Sequence, residues 1–181
     1  MKLHILPSQS DVISRASSFV HEQLSGGVET LGVATGSTFS PIYKHLTKTY
    51  DLPKALIAIG LDEYLGVPAG HPASFRETLI RELIVPAGLD AKNLLMPPTD
   101  ADGIEEFEKN LRNLGPIGLQ LLGIGTNGHI AFNEPGTNPT LRTHVVTLTR
   151  ETIDANADHL HGEIFEHAVT QGIANILESK K

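Results

Sequence analysis

The chain has 181 residues, 14 Lys and Arg against 21 Asp and Glu for a net charge of −7, 40% apolar residues, and no cysteine or tryptophan. Its length fits one domain, 1–181, able to bury a core, and the missing cysteines exclude disulfide scaffolds, thiol catalysis and Cys-based zinc sites while suiting a reducing cytoplasm. No apolar run reaches the roughly 18 residues of a membrane span, the N-terminus is too polar past Leu6 for a secretory signal, and the lack of a basic stripe, with 5% aromatics, argues against nucleic-acid partners.

Residues 2–6 are a short apolar run closed by Pro7. Val12, Ile13, Ala16, Phe19, Val20 and Leu24 then recur at helical spacing, and Gly26-Gly27 supply a stop. Residues 31–34 read as a strand, followed by Thr35-Gly36-Ser37-Thr38 and a helix that Ser40 caps, with Pro41 in its first turn. Residues 55–61 (ALIAIGL) are apolar on both faces, as a buried parallel strand requires. Ser74 and Glu77 have capping-box spacing ahead of a helix to about Ile84. A short strand at 94–96 ends in Pro97-Pro98, and Ile104, Phe107, Leu111 and Leu114 mark one face of the next helix. Residues 119–124 form a buried strand opening into a loop rich in glycine and polar groups. Residues 143–148 are a β-branched strand, Thr149 caps a helix to about Leu160, and a last helix starts near Thr170 with Ile173, Ile176 and Leu177 on its apolar face. Alternating β and α units predict an α/β fold: a doubly wound, mostly parallel sheet with helices on both faces. The alternation also predicts one more strand after the last helix.

Ligands of such sheets bind beyond the carboxyl ends of the strands, and three of those ends carry polar chemistry. At Thr35, Gly36, Ser37 and Thr38, glycine allows close backbone approach while hydroxyls and helix-start N–H groups suit a phosphate. The same residues also read as an ordinary βα turn. Asp62 and Glu63 follow a buried strand, where partial desolvation raises a carboxylate's basicity for general-base chemistry; alternatively one of them caps the next turn. The third end is GIGTNGHIAFNEPGT, residues 123–137. Gly123, Gly125 and Gly128 match a dinucleotide fingerprint, but His129, Asn133, Glu134 and Pro135 follow instead of an amphipathic helix. Glycines that let the loop fold back would bring His129 opposite Glu134, making a tuned proton carrier; a structural histidine is the bland alternative. His159-x-His161 lacks the further ligands of a metal site, so no metal is expected.

These segments resemble the glucosamine-6-phosphate deaminase (isomerase) family: ATGST at 34–38, LDEYLGVPAGHPASF at 61–75, LLGIGTNGHIAFNEPGT at 121–137 and RTHVVTLTRETIDAN at 142–156. The resemblance implies a three-layer α/β sandwich and conversion of glucosamine 6-phosphate and water to fructose 6-phosphate and ammonium, without metal or organic cofactor. It implies Asp62 as the base moving a proton from C2 to C1, and His129 as the group assisting ring opening, with Asn127 and Glu134 as its partners. Thr35, Gly36, Ser37 and Thr38, with Gly123, would receive the phosphorylated substrate. Some members carry aspartate where this chain has Asn127. The related 6-phosphogluconolactonases share the sheet and a Gly-His pair but not the FNEP continuation.

Two departures bear on the phosphate. Family members continue past the position of Lys181 with a strand and a glycine-lysine loop whose lysine contacts phosphate. They also commonly place an arginine in or just after the segment 149–159, where this chain has Ile153 and Ala157-Asp158. The expectation is a catalytic set with an incomplete anchor, with Lys44 or Arg142 as candidate replacement charges. The alternatives are a sugar-phosphate lactonase on the same sheet and a non-catalytic sugar-phosphate-binding module.

Overall fold

The computed structural model describes residues 2–155 and 163–181. In chain order it runs α1 (Gln9–Ser25), β1 (Thr30–Val33), α2 (Phe39–Thr49), β2 (Ile57–Gly60), β3 (Asp62–Tyr64), α3 (Phe75–Leu79) continuing into a π turn (Ile80–Ile84), β4 (Leu94–Leu95), α4 (Ile104–Leu114), β5 (Leu119–Gln120), β6 (His144–Thr147), α5 (Arg150–Ala155), β7 (His167–Thr170) and α6 (Ile173–Leu177).

Four strands pair in parallel in the order β4-β2-β1-β5, with Ala58 and Leu119 flanking Leu31 in register. The two-residue period of a strand sorts their side chains onto two faces. Leu31, Val33, Ala58 and Leu94 pack with Val20 and Leu24 of α1, Ile42 and Leu46 of α2, and Leu79 and Leu83 of α3 and its π turn. Ile57, Ile59 and Leu95 turn the other way, onto Phe107 and Leu111 of α4 and Ile117. Helices thus cover both faces of a parallel sheet, the layered α/β architecture predicted. Each such Leu or Ile contributes about 1.5–3 kcal/mol of burial energy, so the sheet's stability rests on its apolar composition.

A second sheet was not predicted. β3, β7 and β6 pair antiparallel, with Asp62 opposite Thr170, Tyr64 opposite Ala168, and Thr147 opposite His167. Tyr64, Phe75 and Phe132 pack in tilted ring pairs with centroids 4.7–6.0 Å apart, in one core cluster with Ala168 of β7. β3 and β7 are three and four residues long, too short for alternation to register, and the polar Asp62-Glu63 reads as loop chemistry. The last helix accordingly starts at Ile173, behind the strand formed by Val169 and Thr170, and Leu177 is exposed instead of joining Ile173 and Ile176. Beyond α6, Lys180 N–H donates to the Ile117 carbonyl and Gln120 N–H to that of Lys181, both within 2.9 Å, laying these residues along β5.

Local differences have local causes. The run at 2–6 pairs with no strand and is largely exposed, Pro7 separating it from α1. The helix from Ser74 changes after Leu79 to i→i+5 bonding, Val85 N–H reaching the Ile80 carbonyl at 2.9 Å. α5 begins as predicted after Thr149, whose hydroxyl accepts the Thr152 N–H at 3.2 Å; the remainder of that predicted helix, to Leu160, lies outside the described residues. Among the described residues no helix is long and apolar enough to cross a membrane.

Candidate active site

The chain passes from the parallel to the antiparallel sheet through one residue. β2 ends at Gly60, Leu61 intervenes, and β3 starts at Asp62. Gln171 fixes this crossing: its backbone N–H donates to the Leu61 carbonyl at 2.7 Å and its Nε2 to that of Gly60 at 2.7 Å. Strand alternation then sends Asp62 and Glu63 in opposite directions. Glu63 is buried and accepts the Ser74 hydroxyl at 2.7 Å and the N–H groups of Tyr64, Phe75 and Arg76 at 3.0 Å each. Two of those N–H groups open α3, so Glu63 is the capping carboxylate. Ser74 completes half a capping box, accepting the Glu77 N–H.

Asp62 instead faces a cleft of about 570 Å³. Burial, and secondarily the charge of Glu63, push its carboxyl up from 3.8 to about 7. An acid of that pKa exchanges protons near neutrality, as a general base must.

Residues 35–38 and Gly123 line the same cleft. The Ala34 carbonyl preceding them is held at 2.6 Å by the buried Tyr43 hydroxyl, whose pKa burial raises. The Gly36 carbonyl accepts N–H bonds from Phe39 and Ser40 at 2.9 and 3.1 Å, which starts α2 at Phe39 with Thr38 as its first flank. Ser40 therefore lies within the first turn and is not the cap; its hydroxyl donates to Glu82 at 2.6 Å. Gly36, Ser37 and Thr38 remain exposed.

The loop 123–137 also lines the cleft. The His129 imidazole lies directly against the α-carbon of Gly125, where any Cβ would overlap the ring. Its buried Nδ1 has no hydrogen-bond partner among the described residues. The expected meeting of His129 with Glu134 is replaced by an indirect link. The Asn127 side chain accepts the His129 backbone N–H at 3.1 Å and donates to Glu134 at 2.6 Å, while Thr152 donates to the other Glu134 oxygen at 2.8 Å. His129 lines the cleft, and Asn127 and Glu134 are not among its lining residues. A tight turn at Ile130–Asn133 holds Ala131 at φ +52°, left-handed for a residue with a Cβ. Asn133 ties this turn to the Gln171 carbonyl at 2.8 Å.

Asp62, His129, Gly123 and residues 35–38 therefore share one cleft. Sequence reasoning missed Gln171, read as the start of a helix, the cleft-lining Thr78 of α3, and Arg81 and Glu82, which the π turn presents to the cleft. No local sequence signal marks a π turn. The two cations proposed in place of an anchor lie elsewhere. Arg142 is engaged by Glu108 at 2.6 Å and Glu178 at 2.7 Å beside a separate cavity of about 290 Å³, and Lys44 is exposed on α2 outside the cleft. Among the described residues no group of three potential metal ligands occurs; His159 and His161 lie outside them.

No family model matches the chain. Individual proteins do. A glucosamine-6-phosphate deaminase of Streptomyces avermitilis is 44% identical over 83% of this chain and 62% of its own length. Those of Streptococcus uberis and Thermoanaerobacter sp. strain X514 are 40% and 35% identical, over 78% and 76% of their lengths and essentially all of this chain. A solved monomeric glucosamine-6-phosphate deaminase superposes with a TM-score of 0.93 at 32% identity, covering the whole chain and 80% of that structure. The 6-phosphogluconolactonase of Trypanosoma brucei, TM-score 0.78 at 17% identity, shares the fold. The chain thus spans about 62% of the Streptomyces relatives' length and up to 80% of others.

Proposed function

Because the chain belongs to the glucosamine-6-phosphate deaminase family, we propose that it isomerises and deaminates glucosamine 6-phosphate, releasing fructose 6-phosphate and ammonium. One observation carries this reading: a carboxyl raised to about 7 and a histidine line the same cleft as an exposed, hydroxyl-bearing helix start.

Ring opening takes a proton from the anomeric hydroxyl and gives one to the ring oxygen. His129 is the group in the cleft that can carry it. Asn127 and Glu134 act as positioning residues, holding the backbone of His129 in place while the ring stays against Gly125. In the open-chain sugar, ionised Asp62 removes the C2 proton and returns it to C1 while a proton passes from the substrate's ammonium to its C1 oxygen, converting the amino aldehyde to an enolamine and then a protonated ketimine that water hydrolyses to ketone and ammonium. The phosphate rests on residues 35–38, through their hydroxyls and the N–H groups of the α2 start. Binding energy at that remote group positions C2 over the base.

The test is ammonium release from glucosamine 6-phosphate together with deuterium exchange at C2 in D₂O. Both are expected. Hydrolysis of 6-phosphogluconolactone without C2 exchange would instead assign the cleft to lactonase chemistry, and sugar-phosphate binding without turnover would make it a binding module.

A further inference from the structure

We propose that Arg81 is the cation that anchors the substrate's phosphate together with residues 35–38, an assignment that rests on the sugar-phosphate reading above. Hydroxyls and backbone N–H groups satisfy phosphate oxygens but leave the dianion's charge uncompensated. A guanidinium supplies charge and two parallel donors at once. Arg81 is the one Lys or Arg among the described residues lining the cleft.

Its place follows from the π turn. Glu82, the next residue, accepts the Ser40 hydroxyl at 2.6 Å, and the Ser40 N–H donates to the Gly36 carbonyl at 3.1 Å. The segment bearing Arg81 is thus pinned against the same first turn of α2 that ends the phosphate loop. The guanidinium itself is lightly held. It reaches the Thr78 hydroxyl at 3.3 Å and a Glu82 oxygen at 3.5 Å, with 59% of the side chain exposed. So exposed and long an ion pair is weak, and exchanging it for a phosphate gives up little. Other cations are more firmly engaged: Arg142 by two carboxylates, and Lys54 by the Ala87 and Gly88 carbonyls at 3.0 and 3.1 Å. Glu82 has the opposite effect. Its carboxylate lines the cleft and competes for Arg81, so it weakens phosphate binding.

The experiment uses the 181-residue chain: calorimetric titration with fructose 6-phosphate, competition by inorganic phosphate, and steady-state kinetics on glucosamine 6-phosphate. Arg81→Gln is expected to raise both Kd and KM by roughly 10- to 150-fold, the worth of a charged hydrogen-bonded contact, with a smaller change in kcat. Arg81→Lys recovers part of the affinity, because it keeps charge without the fork. Glu82→Gln, which can still accept from Ser40, lowers Kd, and Arg112→Gln, outside the cleft, leaves it unchanged. Matched thermal midpoints are expected, since Arg81 is a surface side chain. Unchanged Kd and KM in Arg81→Gln overturns the assignment and leaves the deaminase reading standing. Fructose 6-phosphate binding that Arg81→Gln abolishes, in a wild type that releases no ammonium, supports the anchor and removes the deaminase reading. A wild type that binds no sugar phosphate at all overturns both.

Discussion

The parallel sheet and the loop 123–137 that lies beyond its end are held by different forces. The sheet is packed by aliphatic side chains: Leu31, Val33, Ala58 and Ile59 are each 0% exposed, and their contacts are numerous and individually undirected. The loop is anchored by one buried ring, Phe132, and otherwise held by a few directed bonds, from Asn127 to Glu134, from Glu134 to Thr152, and from Asn133 to Gln171. Dispersion over many atoms degrades gradually when one side chain shrinks. A hydrogen-bond chain loses its geometry when one member goes. Damage to the sheet should therefore appear in stability, and damage to the loop in turnover.

The largest expected effect tests the seam between them. Asp62→Asn should cut turnover by roughly 10²–10⁴ with substrate binding little changed, while stabilising the fold. The sign follows from the raised pKa. The folded state prefers the protonated acid, so ionising Asp62 costs stability progressively from about pH 4 and fully above about pH 7. Urea titrations should give the variant a gain on the order of 2–4 kcal/mol at pH 8 that vanishes below pH 4. The wild-type pH–rate profile should fall on the acidic side near pH 7. A variant less stable than wild type at pH 8 would mean that the carboxylate is solvated in the cleft.

Next comes Leu31→Ala in the centre of the sheet, expected to cost about 2–5 kcal/mol. At temperatures where the variant is folded, its kcat should match wild type; a large kcat loss there would show that sheet packing reaches the site directly. A double-mutant cycle on Asn127→Ala and Glu134→Ala should then show an interaction energy of about 0.5–3 kcal/mol in kcat/KM, because their 2.6 Å bond is the shared element. Additive losses would separate their roles. The smallest effect is Ala131→Gly. Relieving a left-handed alanine saves about 1–2 kcal/mol, and the added freedom of the unfolded chain returns up to about 1 of it. The expected gain lies between about 0 and 2 kcal/mol, measured as an unchanged or slightly raised Tm.

The difference in forces also decides what could be read from the sequence. Apolar periodicity is written over many residues, so α1, α2, α4 and the β1–β2 core were legible. The polar residues of the cleft announced themselves by density, and Asp62, His129 and residues 35–38 do share it. Which of two adjacent carboxylates faced the ligand was not legible from composition. It depends on Glu63 finding the α3 start eleven or more residues later in the chain, through Ser74, Phe75 and Arg76. The link from His129 to Glu134 through Asn127 is likewise a matter of side-chain reach. Gln171 and Arg81 were missed for a common reason: each acts at a short irregular junction, a four-residue strand's end and a π turn, where periodicity carries no information.

The single residue Leu61 between the two sheets has a consequence for motion. Hinges need a few residues able to absorb changes in φ and ψ. Here the residue before Leu61 is locked in the parallel sheet, the residue after it is paired with Thr170, and the carbonyls of Gly60 and Leu61 are both held by Gln171. Neither sheet can pivot about this point without breaking several bonds of the other. The carboxylate of Asp62 is therefore carried on a floor braced from both sheets, and adjustment of the cleft to a ligand is expected from the walls.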